Sequence, residues 1–351
     1  MADTRIKVLV AEDSKVSRMF LVHLLESDPR IRVVGDVADG QAAIDFVRAE
    51  RPDVVLMDIN MPRVDGFEAT RRIMETTPLP IIVCSAASNT KDVVVAFEAM
   101  EAGAVACIEK PLGREHPDFE ACAAHLLETV KLMSEVKVVR RTARPPPPQP
   151  APVQATSPVQ VIGIGASTGG PPVLQAILAG LPKDFPVPIL IVQHIAAGFL
   201  RGMAEWLNGT SSLQVHIASY GVQPRPGHVY LAPDDFHMGV GPGGAIVLTR
   251  EEPDNHLRPS AAFLFRTMAG IHGPRALGVL LTGMGKDGAS ELKALKDKGG
   301  VTIAQDRESS VVHGMPGAAI ALGGVTHVLP ASRIADALIE LTRRKDPASQ
   351  E

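Results

Sequence analysis

Three observations predict an α/β protein of two domains. The first half of the 351-residue chain alternates short β-rich runs with helical patterns. The second half repeats that alternation with more strands. Between them runs Arg144 to Pro158, RPPPPQPAPVQATSP, with seven prolines and no large apolar cluster. Alternating strands and helices imply parallel sheets with helices on both faces. A proline run favours extended polyproline II and acts as a semi-rigid spacer. The expected organisation is a first domain over residues 1–141, a linker over 142–158 and a second domain over 159–345.

In the first domain the strands read Lys7–Val10, Val33–Val37, Val54–Met57, Ile81–Cys84 and Ala104–Ile108. Helical patterns fall near Lys15–Glu26, Gln41–Glu50, Phe67–Glu75 and Lys91–Glu101. These βα units predict a five-stranded, doubly wound parallel sheet. A further helix spans roughly Asp118 to Arg141, with Phe119, Cys122, Leu126, Val130 and Met133 at helical spacing. Its cationic tail (Lys131, Lys137, Arg140, Arg141, Arg144) reads as a solvated helix end favoured by the dipole.

In the second domain the strands read Val161–Gly165, Ile189–Gln193, Val215–Ala218, Val229–Ala232, Ala245–Thr249, Ala276–Thr282, Val301–Gln305 and Thr326–Leu329. Helices are expected at Gly170–Ala179, Phe199–Leu207, Ser260–Ala269, Ala289–Lys298 and Arg333–Arg343. Turn signals at Pro224–Gly227 and Gly241–Gly244 suggest antiparallel hairpins inside a mostly parallel, Rossmann-like sheet.

Composition narrows the function classes. Aromatics are 4%, against a nucleic-acid surface built on stacking rings. The net charge is -4 and no basic recognition helix is apparent, so no nucleic-acid partner is expected. Three cysteines, Cys84, Cys107 and Cys122, form no C-x-x-C motif and suit a reducing compartment. The first apolar run is too short for a signal-peptide core, and no run approaches a membrane span. A soluble, cytoplasmic protein is expected. Gly 31 and Pro 29 are high counts that call for clustered turns as well as the linker.

In an open parallel sheet, ligands bind at the carboxyl ends of the strands. The first domain places Glu12 and Asp13, Asp58 and Asn60, Ser85, and Lys110 at such ends. Clustered carboxylates repel each other unless a divalent cation neutralises them, and Mg²⁺ is the natural guest. An aspartate beside it can attack a phosphoryl group, with lysine and serine contacting the phosphoryl oxygens. Over about Ile6 to Gly113 this set resembles the receiver domain of two-component response regulators, a flavodoxin-like fold. The resemblance implies Asp58 as phosphoacceptor. It implies Glu12, Asp13, Asp58 and the Asn60 carbonyl around Mg²⁺, with Ser85 and Lys110 as switch residues. Cys107 stands where that family usually has a switch aromatic, which puts the aromatic relay in doubt but not phosphorylation.

After the linker comes VIGIGASTGGPP. A dinucleotide fingerprint fits poorly: the spacing is G-x-G-x-x-x-G, and the next strand ends in Gln193-His194 rather than an acid. A helix-capping turn is the plain alternative. Gly165 to Gly169 also matches G-x-S-x-G, a turn that exposes Ser167 as a nucleophile. A serine nucleophile needs a base and an orienting acid. His194 ends the next strand, and Asp287 lies in TGMGKDG after a later one, on the same sheet edge.

GASTGG, Gln193-His194 and TGMGKDG together resemble the catalytic domain of chemotaxis protein-glutamate methylesterases, over roughly Val159 to Glu340. Receiver, linker and this domain match that family's architecture. The resemblance implies a Ser167–His194–Asp287 triad with the Met284 loop on the oxyanion side and no cofactor in this domain. It implies hydrolysis of glutamate methyl esters on methyl-accepting chemoreceptors, deamidation of receptor glutamines, and a chemotaxis histidine kinase as phosphodonor. The membrane enters only through the receptor arrays. Phosphorylation of Asp58 is expected to reposition the receiver and uncover the esterase. Two rivals remain: an α/β-hydrolase pairing Asp287 with His313 or His327, and a regulator whose second half is a non-catalytic partner-binding module.

Overall fold

The computed structural model describes residues 4–85, 90–111, 113, 115–116, 119–136, 157–254 and 256–343. The chain divides into two compact units, residues 1–146 and 147–351. Most of the proline-rich stretch lies outside the described residues, as does the end of the helix expected to reach Arg141.

The first unit runs β1 (Ile6–Ala11), α1 (Lys15–Leu25), β2 (Ile31–Val37), α2 (Gly40–Glu50), β3 (Val54–Met57), α3 (Gly66–Thr76), β4 (Ile81–Ser85), α4 (Thr90–Glu101), β5 (Ala106–Glu109) and α5 (Phe119–Ser134). Its five strands lie in the order β2-β1-β3-β4-β5, and all neighbours are parallel. β3 and β4 are buried throughout, as expected of strands covered on both faces. Ser14, Asp39 and Asp65 cap α1, α2 and α3, each accepting a hydrogen bond from a first-turn N–H. The order reverses between β1 and β3, so the crevice opens where Glu12, Asp13 and Asp58 leave their strands.

The second unit runs β6 (Val161–Ala166), α6 (Gly170–Ala179), β7 (Ile189–Gln193), α7 (Leu200–Thr210), β8 (Gln214–Ile217), β9 (His228–Leu231), β10 (His237–Val240), β11 (Ile246–Thr249), α8 (Ala261–Ile271), β12 (Ala276–Leu280), α9 (Ala289–Asp297), β13 (Val301–Gln305), α10 (Met315–Ala321), β14 (His327–Leu329) and α11 (Ala331–Thr342). A seven-stranded sheet has the order β14-β13-β12-β6-β7-β9-β8, with every pair parallel. Here the order reverses around β6, between β7 and β12. Leu264, Phe265 and Met268 of α8 are fully buried. Burying each such side chain stabilises by at most about 1.5–3 kcal/mol.

One of the two expected hairpins forms. β10 and β11 pair antiparallel across Gly241–Gly244. The other does not: β8 and β9 are parallel, so the Pro224–Gly227 signal is not a hairpin turn. The connection is instead drawn across to the small sheet, where Gly221 N–H donates to Ile246 O and Ile246 N–H to Val222 O, both at 2.8 Å. A segment tethered midway in this manner crosses over rather than folding straight back.

Candidate active site

In the first unit one carboxylate oxygen each from Glu12, Asp13 and Asp58 lies within 4.8 Å of the others. Glu12 and Asp58 are buried, and Asp13 is exposed. Lys110 reaches in from the end of β5, its Nζ 2.8 Å from Glu12 and 2.9 Å from Asp58. Burial raises the pKa of both carboxyls above the usual range, and the lysine only partly offsets this. Burial also works against the Lys110 ammonium, but its bonds to Glu12 and Asp58 outweigh that and lift its pKa. An all-oxygen, acid-rich set whose repulsion one lysine only partly relieves fits a hard divalent cation.

Ser85 is buried at the end of β4, where its carbonyl accepts from Lys110 N–H at 3.0 Å. Asn60 is exposed, two residues beyond Asp58 in the same loop. Cys107 sits on β5 opposite Val83, half-buried. Arg18 of α1 gave no sequence signal, yet it donates to Glu12 O at 2.6 Å and to Asp36 at 2.9 Å. It thereby ties the acidic strand end to its neighbour.

In the second unit Ser167 follows β6 and begins a β-turn, with Gly170 N–H donating to Ser167 O at 2.8 Å. Gly169 stands at φ 76°, ψ 0°, the third-position conformation of a type II turn that glycine adopts without penalty. Ser167 itself has no positive φ, so the left-handed residue of this turn is Gly169 rather than the serine. Ser167 N–H donates to Thr282 O at 3.0 Å. The turn after β12 therefore lies over the serine. A Cβ on Gly283 would stand 2.7 Å from Ser167 Cβ, so only glycine permits this approach. Met284 is 42% exposed on that turn. Its N–H and that of Gly285 donate to no other group among the described residues.

His194 follows β7, and its N–H donates to Ala166 O at 2.9 Å. Its Nε2 lies 3.0 Å from Asp287 Oδ2. The direction falls short of a well-aligned hydrogen bond. Such bonds commonly tighten only when substrate is present. With Nε2 turned to the acid, Nδ1 is the nitrogen left to meet a hydroxyl. Asp287 is 3% exposed and accepts from Ala261 N–H at 2.6 Å and Ala262 N–H at 3.2 Å. Those donors are the first turn of α8, where the helix dipole favours an anion. Ser260 starts that helix, accepting from Phe263 N–H at 3.2 Å and donating to Asp254 at 3.0 Å.

Ser167 and His194 follow the adjoining strands β6 and β7, and Asp287 lies in the loop after β12, on the other side of β6. His194 meets Asp287, while among the described residues no hydrogen bond joins Ser167 Oγ to His194. The imidazole beside Asp287 belongs to His194, while His313 pairs its backbone with Gly283 and His327 lies on β14. Sequence reading missed the Ala261 and Ala262 donors, because backbone N–H groups carry no residue signature. It also missed the amide of Gln193, which donates to Ser167 O at 2.9 Å and His194 O at 2.8 Å.

Comparison with known proteins agrees with this architecture. A family model described as CheB methylesterase matches residues 162–338, and one described as response regulator receiver domain matches 8–117. The chain is 52% identical to the protein-glutamate methylesterase/protein-glutamine glutaminase of Nitrosospira multiformis, covering 97% of this chain and 98% of the relative. It is 53% identical to a protein of the same description from Geobacter metallireducens, covering 97% of this chain and all of the relative, 100%. The crystal structure of the Thermotoga maritima CheB methylesterase catalytic domain superposes with a TM-score of 0.51 at 42% identity, covering 52% of this chain and 99% of that one. Five parallel strands in one unit, a larger parallel sheet with a serine turn in the other, and these matches establish that the chain belongs to the receiver-bearing family of protein-glutamate methylesterases/protein-glutamine glutaminases.

Proposed function

We propose that this chain removes methyl esters from glutamate side chains of chemoreceptors, releasing methanol, and deamidates receptor glutamines at the same site. Residues 1–141 form the receiver, 142–158 the linker and 159–345 the catalytic domain. The observation that carries the reading is His194 at 3.0 Å from Asp287, on the strand adjoining the one that ends at Ser167.

In this reading His194 takes the Ser167 hydroxyl proton through the nitrogen facing away from Asp287. Ser167 Oγ forms a bond to the substrate γ-carbon, and the carbonyl electrons move onto oxygen. Backbone N–H groups of the Met284 loop receive that oxyanion in this reading. His194 then passes the proton to the methoxy oxygen as the C–O bond breaks and methanol leaves. For glutamine the leaving group is ammonia. Water attacks the acyl-enzyme by the same route and restores Ser167 and the glutamate carboxylate. Asp287, fixed by α8, orients the imidazole and stabilises its positive charge.

The receiver supplies control. Asp58 forms a bond to phosphorus as the P–N bond of a kinase phosphohistidine breaks, and Lys110 and Ser85 contact the phosphoryl oxygens in this reading. Glu12, Asp13, Asp58 and the Asn60 carbonyl would hold Mg²⁺, which when bound neutralises phosphoryl charge. Phosphorylation then changes esterase activity through a two-state arrangement biased by new charge. A methyl-accepting chemoreceptor as substrate and a chemotaxis histidine kinase as phosphodonor suit a cytoplasmic reaction.

Methanol release from methylated receptor membranes tests the assignment. Wild-type protein releases methanol, and Ser167→Ala reduces release to the no-enzyme level. Release by Ser167→Ala near the wild-type rate would overturn it.

A further inference from the structure

Gln193 closes β7 and is 5% exposed, one residue before His194. Both hydrogens of its amide are committed. Nε2 donates to Ser167 O at 2.9 Å and to His194 O at 2.8 Å. Its Oε1 is buried without a partner among the described residues. The orientation of the amide follows from its acceptors, since reversing it would point Oε1 at two carbonyl oxygens. An orphaned buried acceptor is normally avoided. Here it accompanies an NH₂ group that spans two strand ends.

We infer that Gln193 is a positioning residue that sets the spacing between the nucleophile and its base. The inference rests on the Ser167–His194 reading above. Holding a residue's own carbonyl fixes its ψ, and with it the direction of Cα–Cβ relative to the strand. One planar amide does this for Ser167 and His194 together. The other ties leave that freedom open. Gly170 N–H also reaches Ser167 O at 2.8 Å, but it moves with the turn. The His194 N–H bond to Ala166 O holds φ rather than ψ. Without the amide the hydroxyl and imidazole remain present but lose their common frame, and rates are sensitive to such misplacement.

The test compares full-length wild-type protein, Gln193→Leu, Gln193→Glu and Ser167→Ala on methylated receptor membranes. Rates are normalised to folded protein by circular dichroism. Gln193→Leu is expected to lower kcat about 100-fold with KM changed less than about threefold, the signature of lost alignment rather than lost binding. Gln193→Glu keeps the shape, and serves if the leucine variant fails to fold. Its carboxylate cannot donate, but once protonated it restores one of the two bonds. Its deficit in kcat relative to wild type therefore narrows towards acid pH, by up to about tenfold per pH unit as the protonated fraction grows. Near-wild-type kcat in both variants with only a lower melting temperature would overturn the clamp, provided Ser167→Ala is inactive. Activity retained in Ser167→Ala would overturn the nucleophile assignment and the clamp with it.

Discussion

Each unit gathers acidic residues at the carboxyl edge of a parallel sheet, but the two edges manage negative charge in opposite ways. In the first, Glu12, Asp13 and Asp58 crowd against one lysine, and burial leaves Glu12 and Asp58 more basic than free carboxyls. In the proposed reading that repulsion is relieved from outside, by a divalent cation. In the second, the buried Asp287 is met by two helix N–H groups and one imidazole, all supplied by the chain. A site relieved by incoming groups suits a switch. A site whose dipoles are already in place suits chemistry that must be ready before substrate arrives.

The contrast breaks most severely if Asp287 is dispensable. Asp287→Asn keeps the shape but turns an NH₂ towards donors, and it no longer balances an imidazolium. We expect kcat for methanol release to fall by about 10⁴-fold with the fold retained. A loss below about tenfold would mean that Asp287 only anchors α8.

A smaller effect is expected one step back from the acid. Ser260→Ala removes the N-cap of α8 and a partner of Asp254. Stability should fall by about 1–3 kcal/mol, read from the urea midpoint, with slower methanol release per folded molecule. An unchanged midpoint would show that α8 holds Asp287 without its cap.

The smallest effect concerns charge away from both sites. His216 Nε2 and His228 Nδ1 lie 2.8 Å apart on β8 and β9, close enough to share one proton. Partial burial, then the neighbouring imidazole, lowers the pKa of His216 below its usual value. The folded protein thus binds this proton less readily than the unfolded chain. The contribution is present above about pH 6.5 and is lost as pH falls through the lowered pKa. His216→Gln should reduce the drop in melting temperature between about pH 7.5 and about pH 5.5, by on the order of 1 °C. An unchanged drop would mean that the pair is neutral to stability.

Much of both sites was legible because sheet topology turns sequence position into spatial position. Once strands are recognised, Asp58 and Ser167 must fall on a carboxyl edge, and so must Lys110, His194 and Asp287. Gly283 was legible as a turn but not as the point where two loops touch. β10 carries little sequence signal because HMGV is short and contains glycine. α10, MPGAAIA, combines proline and glycine in seven residues, too brief and too poor in helix formers for periodicity to show. The parallel pairing of β8 with β9 depends on the tether at Ile246, a tertiary contact that turn residues do not encode. The donors to Asp287 are backbone groups of two alanines, and no side-chain pattern announces them.

The division between the two edges is tested most directly by removing divalent cations from unphosphorylated full-length protein with EDTA. Phosphate incorporation from a small-molecule phosphodonor and basal methanol release are then followed in parallel. The account predicts that phosphate incorporation is lost and returns with Mg²⁺, while basal methanol release is unchanged. Loss of basal methanol release, or phosphate incorporation that persists in EDTA, would contradict it.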